Sequence, residues 1–246
     1  MPAPDLAVVD RSLLASWAAL ARRAPGAALR PAGEADAAIF PRGPARAVFN
    51  NALLRAGAAD LDGTLAAVRG AYAAAGVEEF ALWVHESRAD ALAVAAAAGW
   101  RESESTRAMA ADLAAAVAGG GDATAPVERL SEPAELFLLN GVTADLLDGW
   151  PPGARGFVAR GDDGRPLSGA MALHRDGDCA VAFVATDPAA RRRGLARAVL
   201  AALLADAVAA GCATATLHST PEAEPLYASA GFRDLGRMVE LAPPER

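Results

Sequence analysis

The stretch that decides the fold is Val184-Ala185-Thr186-Asp187-Pro188-Ala189-Ala190-Arg191-Arg192-Arg193-Gly194-Leu195-Ala196. It closes an apolar run of strand length, residues 179–186, and opens a helical pattern that reaches residue 210, where Gly211 stops it. Leu195, Val199, Leu203 and Val208 fall near one face of that pattern, so the helix N-terminus is expected to be fixed against a sheet. A fixed helix N-terminus offers free N–H groups and a partial positive charge, which suit a pyrophosphate. Gly194 and the small Ala196 let backbone come close to a bulky anion, and Arg191, Arg192, Arg193 and Arg197 add charge at the same spot. A plain strand-to-helix turn with solvated arginines is the competing reading of this segment alone.

Composition limits how far the arginines can be trusted. No lysine occurs among the 246 residues, all 23 basic side chains are arginine, and alanine runs such as Ala95–Ala98 recur, as in a GC-rich coding bias. The net charge of −7 argues against nonspecific nucleic-acid binding, which needs a broad basic face, and leaves room for a small anion on one local patch. With 53% hydrophobic and 22% charged residues the chain can build a real core. Cys179 and Cys212 are too few for a disulfide framework and sit in apolar stretches, as small buried hydrophobes do. Met-Pro-Ala-Pro-Asp at the start lacks the pattern of a signal peptide, and no apolar stretch reaches the roughly 18–20 residues of a membrane span. A cytoplasmic protein that binds neither membrane nor nucleic acid is expected, as a monomer or a homodimer.

Residues 116–126 join a glycine triplet to Pro126 and suit a linker. This predicts a first domain over 1–115 and a second over 127–246. In the first, helices are expected at 12–23, 61–75 and 87–98, with strands at 47–54, 80–85 and 108–113. In the second, a strand at 127–130 precedes a helix capped by Ser131, and helical pattern resumes at 142–147. Strand-like runs at 156–160, 167–174 and 179–186 are joined by turn-prone segments, so antiparallel hairpins are expected. After the loop and its helix come a strand at 213–219, a short helix at 222–230 and a last strand at 233–241. The fold class is α/β of the α+β type: a mixed, mostly antiparallel sheet flanked by helices.

The run from Val184 to Ala196 resembles the coenzyme A signature of the GNAT N-acetyltransferase superfamily. Further along, Leu226-Tyr227-Ala228-Ser229-Ala230-Gly231-Phe232 resembles the superfamily's second signature, in the expected order. The resemblance covers about Val127 to Leu241. It implies acetyl-CoA as co-substrate, no metal, and transfer of an acetyl group to an amine on a small molecule or peptide. It also implies that backbone groups of Val184, Ala185 and Thr186 pair with the pantetheine arm, and that amides from Arg192 to Arg197 hold the pyrophosphate. Tyr227 would donate to the leaving thiolate, which a neutral phenol can do, and Thr220 stands where many members have asparagine. A general base is not evident. His174, His218, Asp178, Ser219 with a water, and Glu222 are the candidates, with His218 first because it ends the strand beside the acyl site.

The first half repeats part of the plan. Ala98-Gly99-Trp100 echoes Ala230-Gly231-Phe232, while Asp60-Leu61-Asp62-Gly63-Thr64 stands where the arginine loop would be. It is read as a degenerate GNAT-like domain without a phosphate loop, in the tandem plan shared by mycothiol synthase and related actinobacterial proteins. Two other readings remain. One is a non-catalytic acyl-CoA-binding sensor or structural module. The other, a Rossmann-type nucleotide binder, is disfavoured because G-x-G-x-x-G is missing and the loop follows antiparallel strands.

Overall fold

The computed structural model describes residues 4–43, 49–118 and 125–245. In chain order the elements are α1 (Leu6–Ala21), β1 (Ala28–Ala32), β2 (Ala35–Ile39), β3 (Asn51–Leu54), α2 (Leu61–Ala74), β4 (Ala81–His85), α3 (Ala89–Ala97), β5 (Arg101–Asp112) and α4 (Leu113–Ala118). Then follow β6 (Glu128–Leu130), α5 (Ala134–Leu139), β7 (Ala154–Arg160), β8 (Pro166–Arg175), β9 (Asp178–Thr186), α6 (Leu195–Ala209), β10 (Thr214–Ser219), α7 (Glu224–Ser229) and β11 (Arg233–Ala242). Two compact units result, a larger one of Met1–Ser16 with Ala108–Leu235 and a smaller one of Trp17–Arg107 with Gly236–Arg246. Of the expected linker, residues 119–124 lie outside the described residues.

Five helices stop by the same device, and the sequence spells it. Ala75-Gly76-Val77, Ala98-Gly99-Trp100, Asn140-Gly141-Val142, Ala210-Gly211-Cys212 and Ala230-Gly231-Phe232 each place a left-handed glycine one residue past the last helical turn. In each, the glycine amide and the next amide turn back onto carbonyls of the last turn. For α6 these bonds are Gly211 N to Val208 O, 2.9 Å, and Cys212 N to Ala207 O, 3.0 Å. The residue after the glycine then packs back on its own helix.

This device also explains one departure from expectation. Helical pattern was expected to resume at 142–147, but that segment is a chain of turns and bends. Gly141, at φ +70°, ends α5, and Val142, Leu146 and Leu147 are buried without a helix to carry them. Their spacing reflects burial alone.

In the larger unit the strand order is β5-β10-β9-β8-β7-β6, with the β6–β9 neighbours antiparallel and β10 parallel to β9. The expected hairpins are therefore present. Helix α6 contributes Leu195, Val199, Leu203 and Ala207 to the core, with Leu203 wholly buried. Burying one such leucine stabilises by roughly 1.5–3 kcal/mol. Val208, expected on that face, is instead 42% exposed, because one residue of rotation gives its place to Ala207.

The smaller unit runs β1-β2-β3-β4-β11-β5, with β3 parallel to β4 and the other recorded pairs antiparallel. Strands β1 and β2 were not expected, since Ala, Arg and Pro carry little strand propensity. Their two-residue loop, Gly33-Glu34 with φ +61° at the glycine, is the signal that would have found them. Tyr72 on α2 is buried, stacks on Phe80 at 4.2 Å and donates to Ala38 O at 3.0 Å. Asp60 caps α2 by accepting from Gly63 N at 3.0 Å, which gives the acidic Asp60-Leu61-Asp62-Gly63 segment a structural role.

One carboxyl in this unit is out of place on hydrophobic grounds. Glu240 on β11 is buried, and desolvation, helped by the Glu104 charge, pushes its pKa up to about 7. The folded state therefore holds a proton that the unfolded chain releases near pH 4.5. Stability from this group is present below that pH and lost as pH rises through 7. Glu240→Gln is expected to flatten the decline of unfolding free energy between pH 4.5 and 8 in denaturant titrations; an unchanged slope would show that Glu240 is ionised in the fold.

Candidate functional site

The site is built where β9 and β10 part. They pair at Asp178–Thr214, Cys179–Ala215 and Ala180–Thr216, and there the pairing ends. Strand β8 stays with β9 as far as Ser168–Thr186. The second half of β9, residues 182–186, thus has a partner on one edge only and is half-buried.

A bulge decides which groups that open edge presents. Between the pairs Ala182–Met171 and Ala185–Gly169, two residues of β9, Phe183 and Val184, stand opposite Ala170 alone. Before the bulge, Gly177 O accepts from Ala213 N at 2.8 Å, so odd-numbered residues of β9 turn their backbone groups toward β10. After it, Asp187 N donates to Leu167 O at 2.8 Å, and the Ser168 hydroxyl donates to Ala185 O at 3.1 Å. Odd residues now face β8, so the amides and carbonyls of Val184 and Thr186 face the open edge. Phe183 sits at φ +53°, a left-handed conformation costly for a bulky side chain.

The loop that follows is pinned at its start. Asp187 Oδ1 accepts from Ala189 N at 2.9 Å and starts a 3-10 turn, Pro188–Ala190, while its carboxylate lies 3.1 Å from Arg165 Nη1. Arg191 is extended and reaches back to Thr186 O, 3.5 Å from Nε. Arg192 takes φ +60° and Gly194 φ +78°, so left-handed residues lead directly into α6. Such alternation turns successive N–H groups toward one side and forms an anion-binding concavity. The amides of Leu195, Ala196 and Arg197 open the fifteen-residue α6 and have no carbonyl one turn back. Leu195 is buried and anchors the helix start, Ala196 is half-buried, and Arg191, Arg192, Arg193 and Arg197 are exposed.

Because β10 runs parallel to β9, its C-terminal end lies at the same end of the sheet as this loop. His218 and Ser219 are there. Both His218 ring nitrogens are buried although part of the ring is open, and desolvation drives its pKa down to about 4. The imidazole is neutral at pH 7 and a weak base. The Ser219 hydroxyl donates to Thr220 O at 2.8 Å, and Thr220 and Glu222 are exposed.

Tyr227 is only 4% exposed, and burial pushes its pKa up to about 12, so it is a protonated donor at neutral pH. Its ring is fixed by the helix stop described above. Phe232 N bonds Tyr227 O at 3.0 Å, and the two rings meet edge to face at 5.9 Å. The second sequence signature is this stop: leucine and tyrosine on the helix, glycine past its end, and phenylalanine packed back.

Two candidate bases lie elsewhere. Asp178 begins β9, and its carboxylate accepts from the hydroxyls of Ser12, Thr214 and Thr216, the last at 2.7 Å. His174, beside its hairpin turn, is largely buried; its Nε2 is 3.8 Å from Asp206, which Arg155 and Arg129 hold at 2.6 and 3.1 Å. Asp206 is twelve residues along α6 from Gly194, about 18 Å at the helical rise. Both groups belong to the far end of the sheet. Among the described residues no cluster of His, Cys, Asp or Glu fits a metal ion, and no helix is long and apolar enough to cross a membrane.

Residues 152–242 match the family described as acetyltransferase (GNAT) domain. Over those residues the chain is similar to GNAT acetyltransferases. Over 96 residues it is 36% identical to a mycothiol acetyltransferase of Clavibacter michiganensis subsp. michiganensis, spanning 39% of this chain and 31% of that relative. Among solved structures it is similar to a GCN5-related N-acetyltransferase from Kribbella flavida, with a TM-score of 0.73, 18% identity, and 99% and 98% of the two chains covered. It is also similar to a tandem GNAT protein from the clavulanic acid biosynthesis pathway, with a TM-score of 0.58, 14% identity, and 98% and 97% covered. The whole chain thus has the GNAT-type fold, a mixed sheet flanked by helices, and the matched residues 152–242 contain both signatures.

Asn140 and Phe183 are features of this region that sequence reading missed; only the Asn140-Gly141 pair at a helix end hinted at the first. For His218, the folded state resists protonation down to about pH 4 while the unfolded chain takes up a proton near 6.5. Its contribution is present above 6.5 and lost as pH falls toward 4. His218→Gln is therefore expected to lose less stability than the parent protein between pH 7 and 4, as read from unfolding midpoints. Equal losses would place the imidazole in water.

Proposed function

We propose that the GNAT domain transfers an acetyl group from acetyl-CoA to an amine of a small molecule or peptide, by direct attack. The observation that carries this reading is the open edge of β9 beside the left-handed Arg192–Gly194 loop at the start of α6. An extended pantetheine arm would add to that edge as a strand does, through the backbone groups of Val184 and Thr186, with Ala185 between them. The pyrophosphate would rest on the amides from Arg192 to Arg197, under the charge of the exposed arginines.

The amine lone pair would attack the thioester carbonyl, the C–S bond would break, and the thiolate would take a proton from the Tyr227 hydroxyl. Tyr227 would be restored from water, and the amine would release its proton to water or His218. Holding amine and thioester together supplies most of the rate gain. Thr220, exposed at the turn after β10, would meet the co-substrate there with its carbonyl already taken up by Ala223 N and Ser219 Oγ.

A second reading, an acyl-CoA-binding module without turnover, is favoured by one observation: His218 is a weak base and the nearby Glu222 is exposed. Release of free thiol from acetyl-CoA across a panel of amines separates the two; binding without release on any amine would favour the module.

Two substitutions test the donor site. Gly194→Val forces a β-branched residue into φ +78° and is expected to weaken acetyl-CoA binding by about tenfold or more, given a strain of roughly 1–2 kcal/mol. Unchanged affinity in calorimetry would remove the loop from the site. Tyr227→Phe is expected to lower turnover with little change in acetyl-CoA affinity; an unaltered rate would take Tyr227 out of the mechanism.

A further inference from the structure

The bulge in β9 needs a cause. A regular strand would keep Phe183 on the face of Cys179 and Val181, which pack in the core under α6. Instead its ring lies on α5, edge to face with Phe137 at 5.1 Å, and Val184 takes the place against the α6 core. Left-handed backbone at a phenylalanine persists only where its surroundings hold it there.

Asn140, at the end of α5, is the group in position to do so. Its side-chain nitrogen donates to Phe183 O at 3.0 Å, across forty-three residues of chain, and to Leu136 O of its own helix at 2.8 Å. The orientation of the amide is fixed chemically, because its oxygen in that place would face two carbonyl oxygens. The carbonyl of Phe183 is thereby turned out of the ladder and held on the α5 side. Asn140 is in turn fixed by the helix stop, since its amide bonds Leu136 O and Phe137 O, at 3.2 and 3.0 Å, and Gly141 follows in the left-handed conformation.

We propose that Asn140 is a positioning residue for the acyl donor: it locks the Phe183 bulge, and the bulge sets which backbone groups β9 offers to the pantetheine arm. Without the bulge, the alternation fixed at Gly177 would run unbroken, and Val184 and Thr186 would aim their amides and carbonyls at β8. The open edge would still exist, with the other residues facing it. This rests on the donor reading above and adds a residue outside both signatures.

The test separates the two halves of the donor. Acetyl-CoA and 3′-phosphoadenosine 5′-diphosphate, which lacks pantetheine, are titrated calorimetrically against the full chain and against Asn140→Ala, Asn140→Asp and Asn140→Gln. Asn140→Asp keeps the shape and removes the donor; Asn140→Gln keeps the donor on a longer stem. Loss of one hydrogen bond and release of the bulge are expected to weaken acetyl-CoA about three- to tenfold in the Ala and Asp variants. Affinity for the nucleotide fragment is expected to stay within error, and Gln to recover part of the loss. The KM for acetyl-CoA should rise with that for the amine unchanged.

Equal weakening of both ligands would mark Asn140 as a general support of the fold and overturn the proposal. So would acetyl-CoA affinity unchanged in Asp. If Ala fails to fold, the isosteric Asp variant decides alone. A parent chain that binds neither ligand would overturn the donor reading itself, whereas a parent that binds both, with variants that match it, would overturn only the role of Asn140.

Discussion

The structure of the site depends on one unfinished ladder. Strands β9 and β10 pair over three residues and then part, leaving backbone amides and carbonyls of β9 with no strand beside them. Such groups must find partners, in water or in a ligand, and a row of them at strand spacing fits an extended chain bearing amides. Everything nearby serves that opening: β8 holds the other edge, the bulge selects the residues, and the loop ends it at a helix N-terminus. The parting also lets His218 and the turn to α7 stand across from β9 without contact along a ladder.

Two strained backbone positions, Phe183 and Arg192, flank this opening, and both are non-glycine residues in left-handed conformations. Among the described residues the third such position, Asp176, sits in a hairpin turn with Gly177, where that conformation is ordinary. Strain away from turns is concentrated where β9 faces the cleft and where the loop bends into α6. In each case the neighbours fix it, Asn140 and Phe137 at one end and the Asp187 turn and Leu195 at the other.

Charge divides by position. At the loop end of the sheet the arginines are exposed, while two groups there are neutral at pH 7: Tyr227, buried, because its pKa is raised, and His218, with both ring nitrogens buried, because its pKa is lowered. At the far end Asp178 accepts from hydroxyls and Asp206 pairs with guanidinium groups, so that they act as fasteners for α1, β6, β7 and α6.

The sequence by itself determined the local structure. Helix stops, hairpins, the loop and its helix are written in short patterns, glycine after alanine, Asp-Gly turns, an apolar face, because each depends on neighbours within a few residues. The GNAT resemblance of the second half was legible for the same reason, since both of its signatures are local. Tertiary structure decided what depends on pairing partners. That includes the end of the β9–β10 ladder, the parity change at Phe183, the hold of Asn140 across the chain, and the placing of His174 and Asp178 at the end of the sheet away from the loop. Register and burial join residues far apart in the chain, and no short pattern records them.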